Sequence, residues 1–149
     1  MSQYTDAALN FAYDALKKSQ ILQSQRVSIH RDLFPDDSCW PRVLILDVSS
    51  LDTAGGCGHP VSGQILISIA LEIDICDSKA ELKQKQILDA VQVALVGVHA
   101  YSFFGENLTI TTRRNGRSGP GFTRVIEDRQ IRRVTPLYRA FVESAIPQS

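Results

Sequence analysis

Between Gln64 and Cys76 every odd position from 65 to 75 is aliphatic (Ile65, Ile67, Ile69, Leu71, Ile73, Ile75), while the even positions read Leu66, Ser68, Ala70, Glu72 and Asp74. A helix would bring apolar residues back at intervals of three and four. A period of two is that of a strand with one face in a core. At ~3.3 Å per residue such a strand spans roughly 36 Å, longer than most, so the rest of the chain must supply cover for a long aliphatic face.

The 149 residues suit one domain, 1–149, large enough to bury roughly two thirds of its unfolded surface without disulfides or metals. Formal charge is zero, yet it is unevenly placed. Met1 to Glu106 carries 8 basic and 13 acidic residues, net −5, and Asn107 to Ser149 carries 8 basic and 3 acidic, net +5. All the basic residues of the second part are Arg, which favours bidentate contact with carboxylate or phosphate over simple solvation. Three cysteines, Cys39, Cys57 and Cys76, show no repeated spacing and predict ordinary thiols in a reducing compartment rather than a disulfide framework. No apolar stretch has the length of a membrane span, and Met1 to Asp6 has no leader pattern. The expectation is a soluble protein made in the cytoplasm, with no membrane contact.

Ahead of the long strand, Ala8, Leu9, Ala12, Ala15 and Leu16 recur at helical spacing. They predict an amphipathic helix over 5–20, with Thr5 or Asp6 as N-cap and Lys17 and Lys18 at the C-terminal end of the dipole. Phe11 and Tyr13 lie off its stripe and should meet a flanking element or another chain. A short strand is predicted within 26–34, followed by a turn at Pro35-Asp36-Asp37-Ser38. The run Val43-Leu44-Ile45-Leu46 predicts a strand over 42–49 paired with the long one. Between them, 51–63 holds four glycines and Pro60 and predicts a long flexible loop.

After the long strand, Ser78 and Glu81 have the spacing of a capping box. They precede a helix whose stripe is Ala80, Ile87, Leu88, Val91, Ala94, Leu95 and Val98, with Gly97 as the C-terminal cap. The pattern then predicts a linker over 99–107, a strand over 108–112 and a turn at Asn115 to Gly121. A second flexible loop, 113–129, follows, with a returning arm at Phe122 to Ile126, and the last strand runs over 134–143, its start at a sheet edge because of Pro136. The fold class is α+β: an antiparallel or mixed sheet of four to five strands with two helices packed on one face.

Catalytic and metal-binding patterns are weak throughout. Cys57 and His59, with Cys39 or Cys76 added, lack the paired C-x-x-C of a zinc site. His30, His59 and His99 have no sequence partner marking a nucleophile and its base. Gly55-Gly56-Cys57-Gly58 lacks the Lys and the following helix of a phosphate cradle. Asp36-Asp37 and Glu127-Asp128 sit in turns, where neighbouring carboxylates are solvated. The reading is of a protein that is not an enzyme and carries no cofactor or metal. What stands out is Arg113, Arg114, Arg117, Arg124, Arg129, Arg132 and Arg133, seven arginines within 21 residues. They suit a basic arm that touches nucleic acid or an acidic neighbouring subunit. Phe122 is the only aromatic among them, which argues against sequence-specific binding of single strands.

The layout resembles the tail terminator, or tail-completion, proteins of long-tailed bacteriophages. The features that carry the resemblance are the N-terminal helix, Arg26-Val27 to Phe34-Pro35, and the strand opening Trp40-Pro41-Arg42-Val43-Leu44-Ile45. After them come the Gly-bearing loop, the strand Ile67 to Ile75, the helix Lys79 to Val98 and the final Tyr138-Arg139-Ala140-Phe141-Val142. The Cys57 loop and the Arg-rich excursion depart from it. The resemblance implies a virion protein of the tail or neck that forms a hexameric ring on the tail tube, stops tube growth and provides the head-joining surface. Its partners would be copies of itself, the tail tube protein and a head-tail connector or neck protein, with genomic DNA passing through the channel. The alternatives are a connector or neck protein of the same particle, or a small nucleic-acid-binding protein that uses the 113–133 arm.

Overall fold

The computed structural model describes residues 2–31, 40–48, 64–76, 78–117, 121–126 and 128–144. Helix α1 (Ser2–Lys18) leads through Ser19 into a short helix α2 (Gln20–Ser24). There follow β1 (Ser28–Arg31), β2 (Arg42–Asp47), β3 (Gln64–Asp74), helix α3 (Ala80–Leu95), β4 (Gly97–Phe103), β5 (Glu106–Arg117), β6 (Phe122–Ile126), β7 (Arg129–Val134) and β8 (Pro136–Ser144). The fold is α+β, as its pattern predicts. The sheet is larger than expected, with eight strands among the described residues in place of four or five.

Strand β3 is the centre of that sheet. One edge pairs antiparallel with β2, which in turn pairs parallel with β1. The other edge is shared: β8 lies along Gln64–Ser68 and β7 along Leu71–Asp74. Beyond β8 come β5 and then β4, and beyond β7 comes β6. Pro136 therefore opens a strand in the sheet interior, not at an edge. Its missing N–H is tolerated because it is the first residue of β8, opposite Arg117.

The odd-numbered face of β3 lies under the helices. Ile65, Ile67, Ile69, Leu71 and Ile73 join Val43, Ile45, Tyr138, Ala140, Val142, Leu108 and Ile110 in one apolar core, closed by Leu9, Leu16, Ile87, Val91 and Leu95. Both long helices touch β3 on this face. Each such side chain, fully buried, contributes ~1.5 to 3 kcal/mol before conformational entropy is subtracted. The even-numbered face is also inaccessible, contrary to the one-faced expectation: Leu66, Ser68, Ala70 and Glu72 are all buried.

Several local readings are corrected. Thr5 and Asp6 lie inside α1 rather than at its N-cap, because the helix starts at Ser2. The capping box does not form: Lys79 is the N-cap of α3, and no side chain caps it. Gly97 is not a helical cap but the first residue of β4, with φ of +129°, and Val96 before it is already extended. The predicted linker 99–107 is instead β4 and the start of β5, a hairpin turning on Phe104-Gly105. Both turn residues have positive φ, as a two-residue hairpin whose twist matches its strands requires. Phe11, off the helical stripe, meets a flanking element as expected: its ring lies 4.7 Å from that of His99 and 5.7 Å from that of Tyr101. Among the described residues no helix is long and apolar enough to cross a membrane. The predicted loop 51–63, with Cys57 and His59, and the turn at 35–38 lie outside the described residues.

Candidate functional site

Among the described residues the arginines predicted in a flexible loop lie on strands. Arg113, Arg114 and Arg117 continue β5, Arg124 is in β6, and Arg129, Arg132 and Arg133 are in β7. β6 and β7 form a two-stranded ribbon whose backbone pairing to β3, among the described residues, is made by β7. Such a ribbon is marginal by itself, so its anchorage decides what it can do.

The anchor is Glu72. The register sets it directly opposite Arg42 on β2 and Arg133 on β7, with Phe122 of β6 opposite Arg133 in turn. Residues facing one another on neighbouring strands point to the same face, so a row Arg42, Glu72, Arg133, Phe122 crosses four strands. The Glu72 side chain is 0% exposed. Its Oε1 accepts from Arg42 Nε at 2.9 Å and Nη2 at 2.8 Å, and from Trp40 Nε1 at 3.4 Å. Its Oε2 accepts from Arg133 Nε at 2.9 Å and Nη2 at 2.8 Å, and from Arg124 Nη2 at 2.8 Å. These are short, charge-assisted bonds of the stronger kind. Burial by itself would raise the Glu72 pKa; the Arg42 hydrogen bond and the charges of Arg133, Arg124 and Arg42 outweigh it and hold the carboxyl below the usual glutamate value.

Aromatic rings floor the cluster. The Arg42 and Arg129 guanidiniums lie 5.1 and 5.8 Å from the Trp40 ring centre, and that of Arg133 lies 5.8 Å from the Phe122 ring, within the range of cation–π attraction. Arg129 also comes 3.9 Å from the Asp74 carboxylate. Chemically this is a clamp and not a reaction centre. A carboxylate whose lone pairs are all engaged, with a depressed pKa, has no capacity to take a proton near neutral pH.

The seven predicted arginines therefore divide. Arg124 and Arg133 bind Glu72, and Arg132 borders a depression of about 580 Å³ beside the start of α3. Arg113, Arg114 and Arg129 are exposed. Arg114 Nε donates to Gly116 O at 2.8 Å, and its guanidinium lies 5.6 Å from the centre of the buried Tyr138 ring. The backbone of Arg117 pairs with Pro136. The ribbon is not detached from the core either, since Val134 of β7 packs against it, and Ile131, opposite Asp74 on the Glu72 face, is wholly buried. Phe122 and Val125 of β6 are also exposed, at 52% and 70%.

Sequence reasoning missed Arg42, Trp40 and Glu72, the residues that hold the ribbon. The available signal was Glu72 itself, a carboxylate in the middle of an aliphatic strand with an arginine at a matching register on each side. Of the histidines, His99 donates from Nε2 to Leu95 O at 2.9 Å, which satisfies a carbonyl in the last turn of α3. His30 Nε2 meets Ser28 Oγ; burial first, then the charges of Arg42 and Lys17, lower its pKa. Among the described residues no group of His, Cys, Asp and Glu could hold a metal ion.

No protein-family model matches the sequence, and no curated protein matches it. Among solved structures, a chain of the virion of a native gene transfer agent particle is similar at 18% identity and a TM-score of 0.48, over 89% of this chain and 92% of that one. A likeness that slight carries neither a fold nor a function across to this chain.

Proposed function

We propose that the chain is a structural subunit of a tailed virus particle, of the tail-terminator kind. It would assemble as a hexameric ring at the head-proximal end of the tail tube, stop tube growth and present the surface to which the DNA-filled head joins. No catalysis is involved. The observation that supports this reading is the division of labour among the arginines of β5, β6 and β7. Arg124 and Arg133 fasten the ribbon to Glu72, while Arg129 on the ribbon and Arg113 and Arg114 on β5 stand exposed, as do Phe122 and Val125 of β6. A ribbon fixed at its base, with cationic and apolar groups at its rim, suits contact with a second chain or with passing phosphate. Of the expected order, helix, strand, strand, long strand, helix, strand, strand, the described residues keep the first five elements with the short α2 added after the first helix, and carry five strands in place of the last two.

The test is to add purified protein to tail tubes assembled without a terminator and to image the tube ends. Rings at the ends and tubes of fixed length are expected. Tubes that keep growing, with no density at their ends, would remove the terminator reading. Retardation of duplex DNA at two salt concentrations by a protein that never binds tubes would support a nucleic-acid-binding protein in its place.

A further inference from the structure

The register sorts the arginines between the two faces of the sheet, because residues set opposite one another on neighbouring strands share a face. Leu66, on the face of β3 turned away from the long helices, lies opposite Arg139 of β8, and Arg139 lies opposite Arg113 of β5. Glu72 on that face lies opposite Arg42 and Arg133, and Asp74 lies opposite Ile131, which lies opposite Arg124. Arg129, two residues before Ile131, joins them, since side chains of a strand return to one face at every second residue. Arg114 and Arg132, by contrast, lie opposite Tyr138 and Ile73 on the helix side. Among the described strands the helix-free face therefore carries six arginines against three carboxylates, Glu72, Asp74 and Glu143, a surplus of three positive charges.

The arginines also lie along one line. β7 and β8 follow the same edge of β3 in one unbroken register, from Ile131 opposite Asp74 to Phe141 opposite Gln64. Arg139 and Arg129, ten residues apart on that line, are separated by roughly 33 Å of extended strand. A small anion cannot reach both, and a polyanion can. The centre of the face, along β3, is buried, but its two ends are open. At one end the Arg124 and Arg129 side chains are 42% and 56% exposed. At the other, Arg113 is exposed beside the small side chains Ala100, Ser102, Thr109 and Thr111, and Val98 is the one large apolar group exposed there among the described residues.

Among the described residues no hydrogen bond or ion pair reaches the Arg113 side chain, whereas Arg139 opposite it has contacts within the chain. Like charges set directly opposite on neighbouring strands repel, and an anion held over Arg113 offsets that cost. A protein partner would need an apolar centre to its interface, which the Arg113 end lacks; phosphate oxygens are met by Arg, Ser and Thr, which it has. We propose that the helix-free face binds the phosphate backbone of duplex nucleic acid, with Arg113 at one end and Arg129, beside Arg124, at the other. Backbone contacts carry no sequence information, so binding is independent of sequence. The inference does not rest on the tail-terminator reading, because any duplex serves and no tube is needed.

Retardation of two unrelated DNA duplexes by the full chain over a range of salt concentrations tests it. Wild type should bind both alike, with affinity falling steeply between about 50 and about 200 mM salt. Arg113→Ser and Arg129→Ser, at exposed sites and with melting checked, should each weaken binding equally for both sequences. Each should lower the slope of log affinity against log salt by about 1, and the two together by about 2. Arg132→Ser removes the same charge from the helix side, opposite Ile73, and should keep the wild-type slope. No retardation by about 100 μM wild type at about 50 mM salt would overturn the proposal. So would a loss of slope in Arg132→Ser equal to that in Arg113→Ser, which would mean diffuse charge and no site. Oligomers that dissociate in Arg113→Ser and Arg129→Ser, formed by a chain that leaves DNA free, would assign the face to an acidic neighbouring subunit and overturn it too. Protein that caps tail tubes without retarding duplexes would sink this inference and leave the terminator reading standing; retardation with tubes left uncapped would do the reverse.

Discussion

The two faces of β3 are both shut away from water, and they are held by opposite kinds of chemistry. On the odd face, Ile65 to Ile73 meet other aliphatic groups under the helices, and stability there is the sum of many weak, non-directional contacts. On the even face, Glu72 has no exposure at all and is held by three arginines from three other strands. An aliphatic face accepts exchange of one apolar group for another at moderate cost. A buried carboxylate does not, since its partners would be left with uncompensated charge. The first face gives the chain its core; the second fixes where the β6–β7 ribbon points.

The harshest way to break the comparison is to put the chemistry of one face on the other. Ile69→Asp places an unpaired carboxylate where the native side chain is fully buried, and it should abolish folding, with insoluble protein or no cooperative melting transition. Wild-type melting by this variant would show that the odd face is open. Glu72→Gln is the reverse experiment and should cost about 3 kcal/mol in denaturant unfolding, because Arg42 is buried and loses its counter-charge. Replacing Arg42 and Glu72 together by Met should recover part of that loss. Arg133 and Arg124, at 25% and 42% side-chain exposure, can turn to solvent, and a buried pair is often matched by apolar groups of similar volume. A double variant as unstable as the sum of its singles would mean that the clamp does not act as a unit.

How much of this is legible in the sequence follows from the same contrast. Aliphatic residues at period two identify β3 and those at helical spacing α3, because burial in an apolar layer leaves a mark on every second residue or every turn, while β2 is legible as a short continuous apolar run. β4 escaped notice although His99, Tyr101 and Phe103 alternate: with no aliphatic run and with Gly105 behind it, the segment reads as a linker. β6 was legible only as a returning arm at Phe122 to Ile126, and β7 escaped because an arginine-rich strand has the composition of a solvated loop. Glu72 shows the limit most plainly. Alternation marks it as polar, and polar residues on a strand are usually wet; that this one is dry and paired depends on the register of β2 and β7 against β3, which no local pattern contains. The seven arginines were found by their density, yet only the fold divides those that hold Glu72 from those that face outward.

Acid sharpens the comparison without mutation. The Glu72 pKa is lowered below the ordinary 4.5, because the arginine contacts overcome the opposing effect of burial. A carboxyl depressed in the folded state contributes stability that is complete above the unfolded value and is lost as pH falls through the folded one. Unfolding free energy should therefore decline as pH drops below about 4.5, and this part of the decline should be missing in Glu72→Gln. An identical pH profile for the two proteins would mean that the clamp contributes nothing through its charge.

The smallest effects separate the arginines from one another. Arg124→Ser removes one of the three partners of Glu72, but its side chain is 42% exposed, so solvent screening should limit the loss to about 1 kcal/mol. Arg113→Ser and Arg114→Ser remove exposed groups with no contact to Glu72, and each should stay within about 0.5 kcal/mol of wild type, as surface sites do. If Arg113 and Arg114 serve assembly, the double variant should nevertheless join fewer heads to tails in a complementation assay. Raised salt should mimic it in the wild type, because exposed charges are screened over ~8 Å at physiological ionic strength. The decisive outcome is the crossing of two readouts: Arg124→Ser should move melting more than Arg113→Ser does, and the Arg113→Ser/Arg114→Ser protein should move joining at unchanged melting. Loss of melting in both, or full joining by the double variant at every salt concentration, would erase the division of the arginines into those that fasten the ribbon and those presented outward.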